Sequence, residues 1–141
     1  MTYESFSCEE TENLAAELAK KAQCGALFCL TGDLGAGKTA FARGFARGLG
    51  ISDDVTSPTF AIINVYQSGR LPLYHFDVYR IKSPAEMEDT GYEEYFYGDG
   101  VSLVEWADMI KELIPDNAIW VRINKCADAN HRHITIERGK A

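Results

Sequence analysis

The sequence predicts an α/β fold built around a phosphate-binding loop, and three neighbouring observations predict it. Residues Gly32–Thr39 read GDLGAGKT and match the pattern GxxxxGK(S/T) at every fixed position. The run Ala26–Thr31, ALFCLT, is nearly continuous in apolar residues, as expected of a strand buried in a parallel sheet. After the loop, Phe41, Phe45 and Leu49 recur every four residues, with Ala42 and Ala46 widening the stripe. A helix from Lys38 to Leu49 follows, stopped by Gly50.

Strand, loop and helix together give this segment its chemistry. Gly32, Gly35 and Gly37 let the backbone take conformations closed to residues with side chains, so the amides of Asp33, Leu34, Gly35, Ala36 and Gly37 can turn toward an anion. The helix aims its positive end at the same point. Lys38 would reach the β- and γ-phosphates of a nucleotide as a point charge, and the Thr39 hydroxyl would ligate a Mg²⁺ bridging the phosphate oxygens.

The remaining elements follow in chain order. Ser7 and Glu10 have capping-box spacing, and Leu14, Ala15, Leu18 and Ala22 form one stripe of a packing helix that ends near Gly25. Ile51–Pro58 is a polar connection, and Thr56, Ser57 and Thr59 offer hydroxyls that a nucleotide-sensing loop would use; a plain turn has the same composition. Phe60–Gln67 and Leu71–Val78 are rich in strand formers and flank SGR, which predicts a hairpin. Its second strand ends in Asp77, and a later short apolar strand, VSLVE, ends in Glu105. A carboxylate at a strand end near such a loop suits a metal anchor or a group that polarises water, and chain order alone does not divide those roles. Trp106 follows Glu105 directly, where it would shield the site, stack near a nucleotide, or simply be buried.

Ser83, Pro84 and Glu86 open a short helix, and Tyr92 and Phe96 make a second apolar face. Ala107–Ile114 is another short helix, stopped by Pro115. Ala118–Ile123 and His133–Glu137 read as paired strands. His131 and His133 share a face of the last strand, but no third ligand stands near them in sequence, so no metal is expected there.

At 141 residues and 46% hydrophobic composition, the chain suits one compact domain over residues 1–141. It lacks a basic, then apolar, leader and any run near the ~20 apolar residues that span a bilayer, so a cytoplasmic protein without membrane attachment is expected. Cys8, Cys24, Cys29 and Cys126 show no paired spacing and read as reduced structural thiols. The net charge is −7, and Ser83–Asp116 alone carries −9, leaving +2 for the rest. Such an acidic segment repels a phosphate backbone, which argues against strong direct nucleic-acid binding; it suits a basic protein partner or a solvated face.

Taken together, GDLGAGKT, TSPTF at Thr56–Phe60, HFDVYR at His75–Arg80, GYEEYF at Gly91–Phe96 and VEWAD at Val104–Asp108 resemble the TsaE family, also called YjeE. These are small bacterial ATPases of tRNA threonylcarbamoyladenosine synthesis, and the resemblance runs essentially the whole chain. It implies a three-layer α/β P-loop NTPase fold whose mixed sheet has a parallel centre and antiparallel edge strands. It implies a Mg²⁺-dependent ATP hydrolase that binds the complex of the transferase TsaD with TsaB and resets it between turnovers on adenosine 37 of tRNA. It also carries Lys38 and Thr39 to phosphates and metal, Thr59 to the switch-like loop, Asp77 and Glu105 to metal and water, and Trp106 to the nucleotide's vicinity. Ala61 stands where many relatives carry a hydroxyl residue.

Slow turnover by the chain alone is expected, since no motif supplies an arginine finger; Arg43, Arg47 and Arg80 are the exceptions to examine. Two other readings share the loop: a small P-loop kinase, and a nucleotide-gated binding module without significant turnover. The guanine-reading NKxD pattern is absent, as Asn124 and Lys125 are followed by Cys126 and Ala127.

Overall fold

A computed structural model of the chain describes residues 1–33, 35–55 and 62–139. Leu34 and residues 56–61 lie outside the described residues, and with them Thr56, Ser57, Thr59 and Ala61.

One seven-stranded sheet organises the described chain, in the order β1-β7-β6-β2-β5-β4-β3. Its strands are β1 (Thr2–Ser5), β2 (Leu27–Thr31), β3 (Ile63–Tyr66), β4 (Leu73–Asp77), β5 (Val101–Glu105), β6 (Ile119–Lys125) and β7 (Arg132–Arg138). β2 is central and runs parallel to β5 and β6, and β4 runs parallel to β5. The β3–β4, β6–β7 and β1–β7 pairs are antiparallel. The mixed sheet with a parallel centre and antiparallel edges is therefore present.

Layers cover both faces, which is why β2 reads as a continuous apolar run. Phe28 and Leu30 point to the side of α1 (Cys8–Lys21) and α2 (Lys38–Gly48), where Phe41, Phe45 and Leu49 are buried. Leu27 and Cys29 point the other way, into a second core with Phe76, Val104, Met87, Phe96 and Ile110. That layer consists of α3 (Tyr92–Phe96) and two 3-10 segments, Pro84–Thr90 and Ala107–Leu113. The second segment buries Ala107 and Ile110, and its backbone kinks at Ile110 (φ −125°, ψ 32°).

Two local details fix α1 and α2. The Glu10 N–H donates to Ser7 Oγ at 3.1 Å, while the Glu10 carboxylate reaches back to the Phe6 N–H at 3.2 Å, one residue beyond the usual box. A Cβ on Gly44 would stand 2.1 Å from the Glu12 carbonyl oxygen, and one on Gly48 2.3 Å from that of Ala16, so both glycines set how closely α2 lies on α1.

The sequence reading placed no element before Ser7, yet β1 forms there and pairs with β7 in the register Glu4↔His133. Four residues carry too little periodicity to announce an edge strand.

Candidate nucleotide-binding site

The loop leaves the C-terminal end of β2 and enters α2, at the point where chains to either side of a central parallel strand diverge. Gly32 has φ 151°, and a Cβ there would meet the Ile123 carbonyl oxygen at 2.5 Å. Gly37 caps α2 with φ 111°, a left-handed conformation that favours glycine. Arg132 of β7 braces the loop from behind, donating from Nε to the Ala36 carbonyl at 2.8 Å and from its terminal nitrogen to the Gly35 carbonyl at 3.3 Å.

Lys38 is buried. Its ammonium donates to the carbonyls of Gly32 and Asp33, the latter at 2.9 Å, and lies 4.0 Å over the Trp106 ring. Burial lowers its pKa from the ordinary lysine value, against the opposing charges of Glu105, Asp33, Asp77 and Asp108. The charges of these four acids therefore all act on one cation. Thr39 is exposed on the first turn of α2, and Asp33 and Gly35 are exposed in the loop, whereas Ala36 is buried.

The two strand-end carboxylates stand side by side, because β4 and β5 are parallel neighbours whose register pairs Asp77 with Glu105. Glu105 is 3% exposed. Its Oε2 lies 2.6 Å from Nε2 of His75, itself 1% exposed. The Nδ1 of His75 has no partner among the described residues. A neutral imidazole carrying its proton on Nε2 satisfies both facts: it donates to the Glu105 carboxylate and leaves a bare acceptor, not a stranded N–H, at Nδ1. Asp77 is half-buried and accepts the Tyr79 N–H at 3.0 Å through Oδ1. Burial raises its carboxyl above the ordinary value, the Tyr79 hydrogen bond opposes, and the Glu105 charge adds to the rise.

Trp106 has φ 62° and ψ 34°, the one left-handed non-glycine residue among those described. Such a backbone costs about 1–2 kcal/mol. The turn lays the indole against both Lys38 and the Tyr79 ring, whose centroid is 4.6 Å away. Strain held at a site mouth is characteristic of functional positions. A cleft of about 260 Å³ opens alongside, lined by Gly32, Asp33, Trp106, Asp108, Trp120 and Arg122 among others.

The structure thus brings together Lys38, Thr39's helix turn, Asp77, Glu105 and Trp106, as the sequence reading grouped them. Leu34 and Thr59 lie outside the described residues. Sequence reasoning gave no role to His75, Asp108 or Arg132. His75 stands two residues before Asp77 on the same strand, so the two-residue period puts both on one face, and that was the available signal. Arg132 carried none, since only the β6–β7 pairing takes it to the loop. Of the arginines considered for a finger, Arg47 donates to Asn13 at 2.8 Å and both Arg43 and Arg47 lie at 4.0 Å or less from Glu12 of α1, while Arg80 is exposed.

A GxxxxGK(S/T) loop between a central parallel strand and a helix, faced by two carboxylates on adjacent strand ends, defines a P-loop α/β protein. Its family is set by comparison. The profile described as "Threonylcarbamoyl adenosine biosynthesis protein TsaE" matches residues 5–134. The chain is 48% identical over 135 residues to the tRNA threonylcarbamoyladenosine biosynthesis protein TsaE of Bacillus subtilis, covering 96% of this chain and 84% of that one. It is 39% identical to the TsaE protein of Treponema pallidum, covering 94% and 96%. A crystal structure of Bacillus subtilis YdiB superposes with a TM-score of 0.82 at 41% identity, over 100% of this chain and 86% of that one. The chain belongs to the TsaE family.

Proposed function

We propose that this protein serves tRNA threonylcarbamoyladenosine biosynthesis as a Mg²⁺-dependent ATP hydrolase. It binds the TsaD–TsaB transferase complex and resets that complex through ATP hydrolysis. The observation that carries the reading is the pairing of Asp77 with Glu105 beside Lys38 of the loop, in a chain of this family.

The residues present fit the groups implied. The glycine cradle and the buried Lys38 suit polyphosphate, which would draw the ammonium away from the Gly32 and Asp33 carbonyls. Thr39, Asp77 and Glu105 are oxygen donors of the kind a hard cation takes. Among the described residues, each carboxylate commits one oxygen to a protein group, Asp77 to the Tyr79 N–H and Glu105 to His75, and keeps the other. Mg²⁺, when bound, would neutralise phosphate charge. With Mg²⁺ and nucleotide bound, one carboxylate would work with Thr39 at the cation while the other would accept a hydrogen bond from the attacking water and orient it. Trp106 and Tyr79 limit solvent at Lys38.

Turnover by the chain alone is slow, because Arg43 and Arg47 are engaged with α1 and a partner must complete the site. All the acids of the Ser83–Asp116 segment except Glu105 are exposed, which favours a basic protein surface as the partner and disfavours tRNA as a direct ligand. The setting is the cytoplasm; among the described residues no helix is long and apolar enough to cross a membrane.

The test is phosphate release from ATP and Mg²⁺ by the chain alone and with purified TsaD and TsaB. Stimulation by the pair that Lys38→Ala or Glu105→Ala abolishes is the expected result. Slow release unchanged by the pair, despite measurable ATP binding, would replace the reading with a nucleotide-gated binding module.

A further inference from the structure

Further metal-binding groups stand beside His131 and His133: Cys126 across the β6–β7 turn, and Glu4 from the remote N-terminal strand. The antiparallel register sets Glu4 of β1 opposite His133 of β7, and His133 opposite Asn124 of β6. One rung further, the Cys126 N–H donates to the His131 carbonyl at 3.2 Å. Side chains two residues apart share a face of a sheet, so Glu4, Cys126, His131 and His133 converge on one side of this three-strand edge.

The side chains meet there. Glu4 Oε2 lies 2.7 Å from His131 Nε2, and Glu4 Oε1 lies 3.0 Å from His133 Nδ1. One ligand atom each from Glu4, Cys126 and His131 falls within 4.8 Å of the others. Four ligands around a tetrahedral zinc ion stand roughly 3.3–3.7 Å apart, given bonds of about 2.0–2.3 Å, so closing Glu4, Cys126 and His131 onto one ion needs shifts on the order of 1 Å at side chains that are at most half-buried, and His133, which bonds Glu4 but stands outside that cluster, turns further to complete the set. The Phe6 ring stacks on His131 at 4.5 Å, holding that imidazole in place.

We propose that Glu4, Cys126, His131 and His133 form a site for Zn²⁺ or a similar borderline-soft divalent ion, separate from the nucleotide site. Imidazole and thiolate are the donors such ions select over Mg²⁺. Binding takes the Cys126 thiol to thiolate, and its proton passes to solvent. The ion ties the N-terminal strand to the β6–β7 hairpin. Between its two histidine ligands stands Arg132, which faces the opposite side and donates to the loop carbonyls of Ala36 and Gly35. The metal therefore stiffens the strand that braces the phosphate loop. An ordinary surface cluster of Glu4 with two histidines would need no thiol, and this separates the two accounts.

The experiment is a Co²⁺ titration of the reduced chain, free of any polyhistidine tag, in excess Mg²⁺ to fill oxygen-donor sites. The expected result is one equivalent bound at micromolar or tighter affinity, with tetrahedral d–d bands, a thiolate-to-cobalt charge-transfer band, and displacement by Zn²⁺. Cys126→Ser removes the charge-transfer band and weakens binding at least about tenfold, His131→Ala weakens it similarly, and Cys24→Ser changes neither. All three side chains lie outside the core, and melting of the metal-free variants checks that the fold is retained. Absence of a charge-transfer band in the parent chain, or its survival in Cys126→Ser, overturns the proposal. The parent result stands even where a variant fails to fold.

Discussion

Removing His75 should cost more stability than any exposed contact of the site, because its partner cannot be rehydrated in place. Glu105 is 3% exposed and its Oε2 meets the imidazole at 2.6 Å. In His75→Leu the carboxylate stays buried and loses its donor. Losing a buried hydrogen bond to a charged group typically costs about 1.5–3 kcal/mol. A chain of this size loses roughly 3–5 °C of melting temperature per kcal/mol, which predicts a fall of roughly 5–15 °C. Replacing both partners by apolar groups of similar volume removes the stranded charge. The double variant His75→Leu, Glu105→Met should therefore recover more than half of the loss. Thermal and urea unfolding of the parent, both single variants and the double variant close the cycle. A His75→Leu loss below about 1 kcal/mol, or losses that simply add, would refute the idea that His75 supports Glu105.

Three further outcomes follow from the same geometry. Lys38→Ala should weaken nucleotide binding by at least about a hundredfold in equilibrium titration, as expected when a charge-assisted contact of about 3 kcal/mol is lost; parental affinity would remove Lys38 from the phosphates. Gly44→Ala ordinarily gains about 1 kcal/mol in a helix interior, but here the Cβ would stand 2.1 Å from a backbone oxygen of α1, and overpacking of about 1–3 kcal/mol should win, giving a lower melting temperature. Burial, with Glu105, raises the Asp77 carboxyl above the ordinary 3.8, so the folded chain holds that proton to higher pH than the unfolded chain. Stability falls as pH rises through that window and stays lower above it. Asp77→Asn should then melt higher than the parent at neutral pH, with the gain vanishing below about pH 3.8, and equal melting at neutral pH would contradict the burial of that charge.

The parts of this fold that could be read from the chain are those whose cause is local. Gly32–Thr39 fixes a loop through backbone conformations that only glycine reaches easily, and Phe41, Phe45 and Leu49 fix the buried face of α2 through a single period. Asp77 and Glu105 could each be seen to end an apolar strand. Their adjacency could not, because it depends on β4 pairing with β5 in one register, and a shift of one residue would turn one of the two carboxylates to the opposite face of the sheet. The same limit hid His75. A histidine inside an apolar strand reads as core until the neighbouring strand is known to present a carboxylate at the same depth.

The edge of the sheet makes the point in its strongest form. His131 and His133 could be placed on one face from sequence, and the expectation of no metal there rested on the lack of a nearby third ligand. Glu4 is more than a hundred residues away in the chain and belongs to a strand too short to leave a pattern. Its arrival beside them follows from where the unpaired edge of β7 finds hydrogen-bond partners, since a buried or half-buried strand edge must satisfy its backbone groups. Backbone pairing, indifferent to side-chain chemistry, thus delivers a carboxylate as the fourth donor beside two imidazoles and a thiol. A chemically specific cluster assembled in this way is visible only once the sheet order is known.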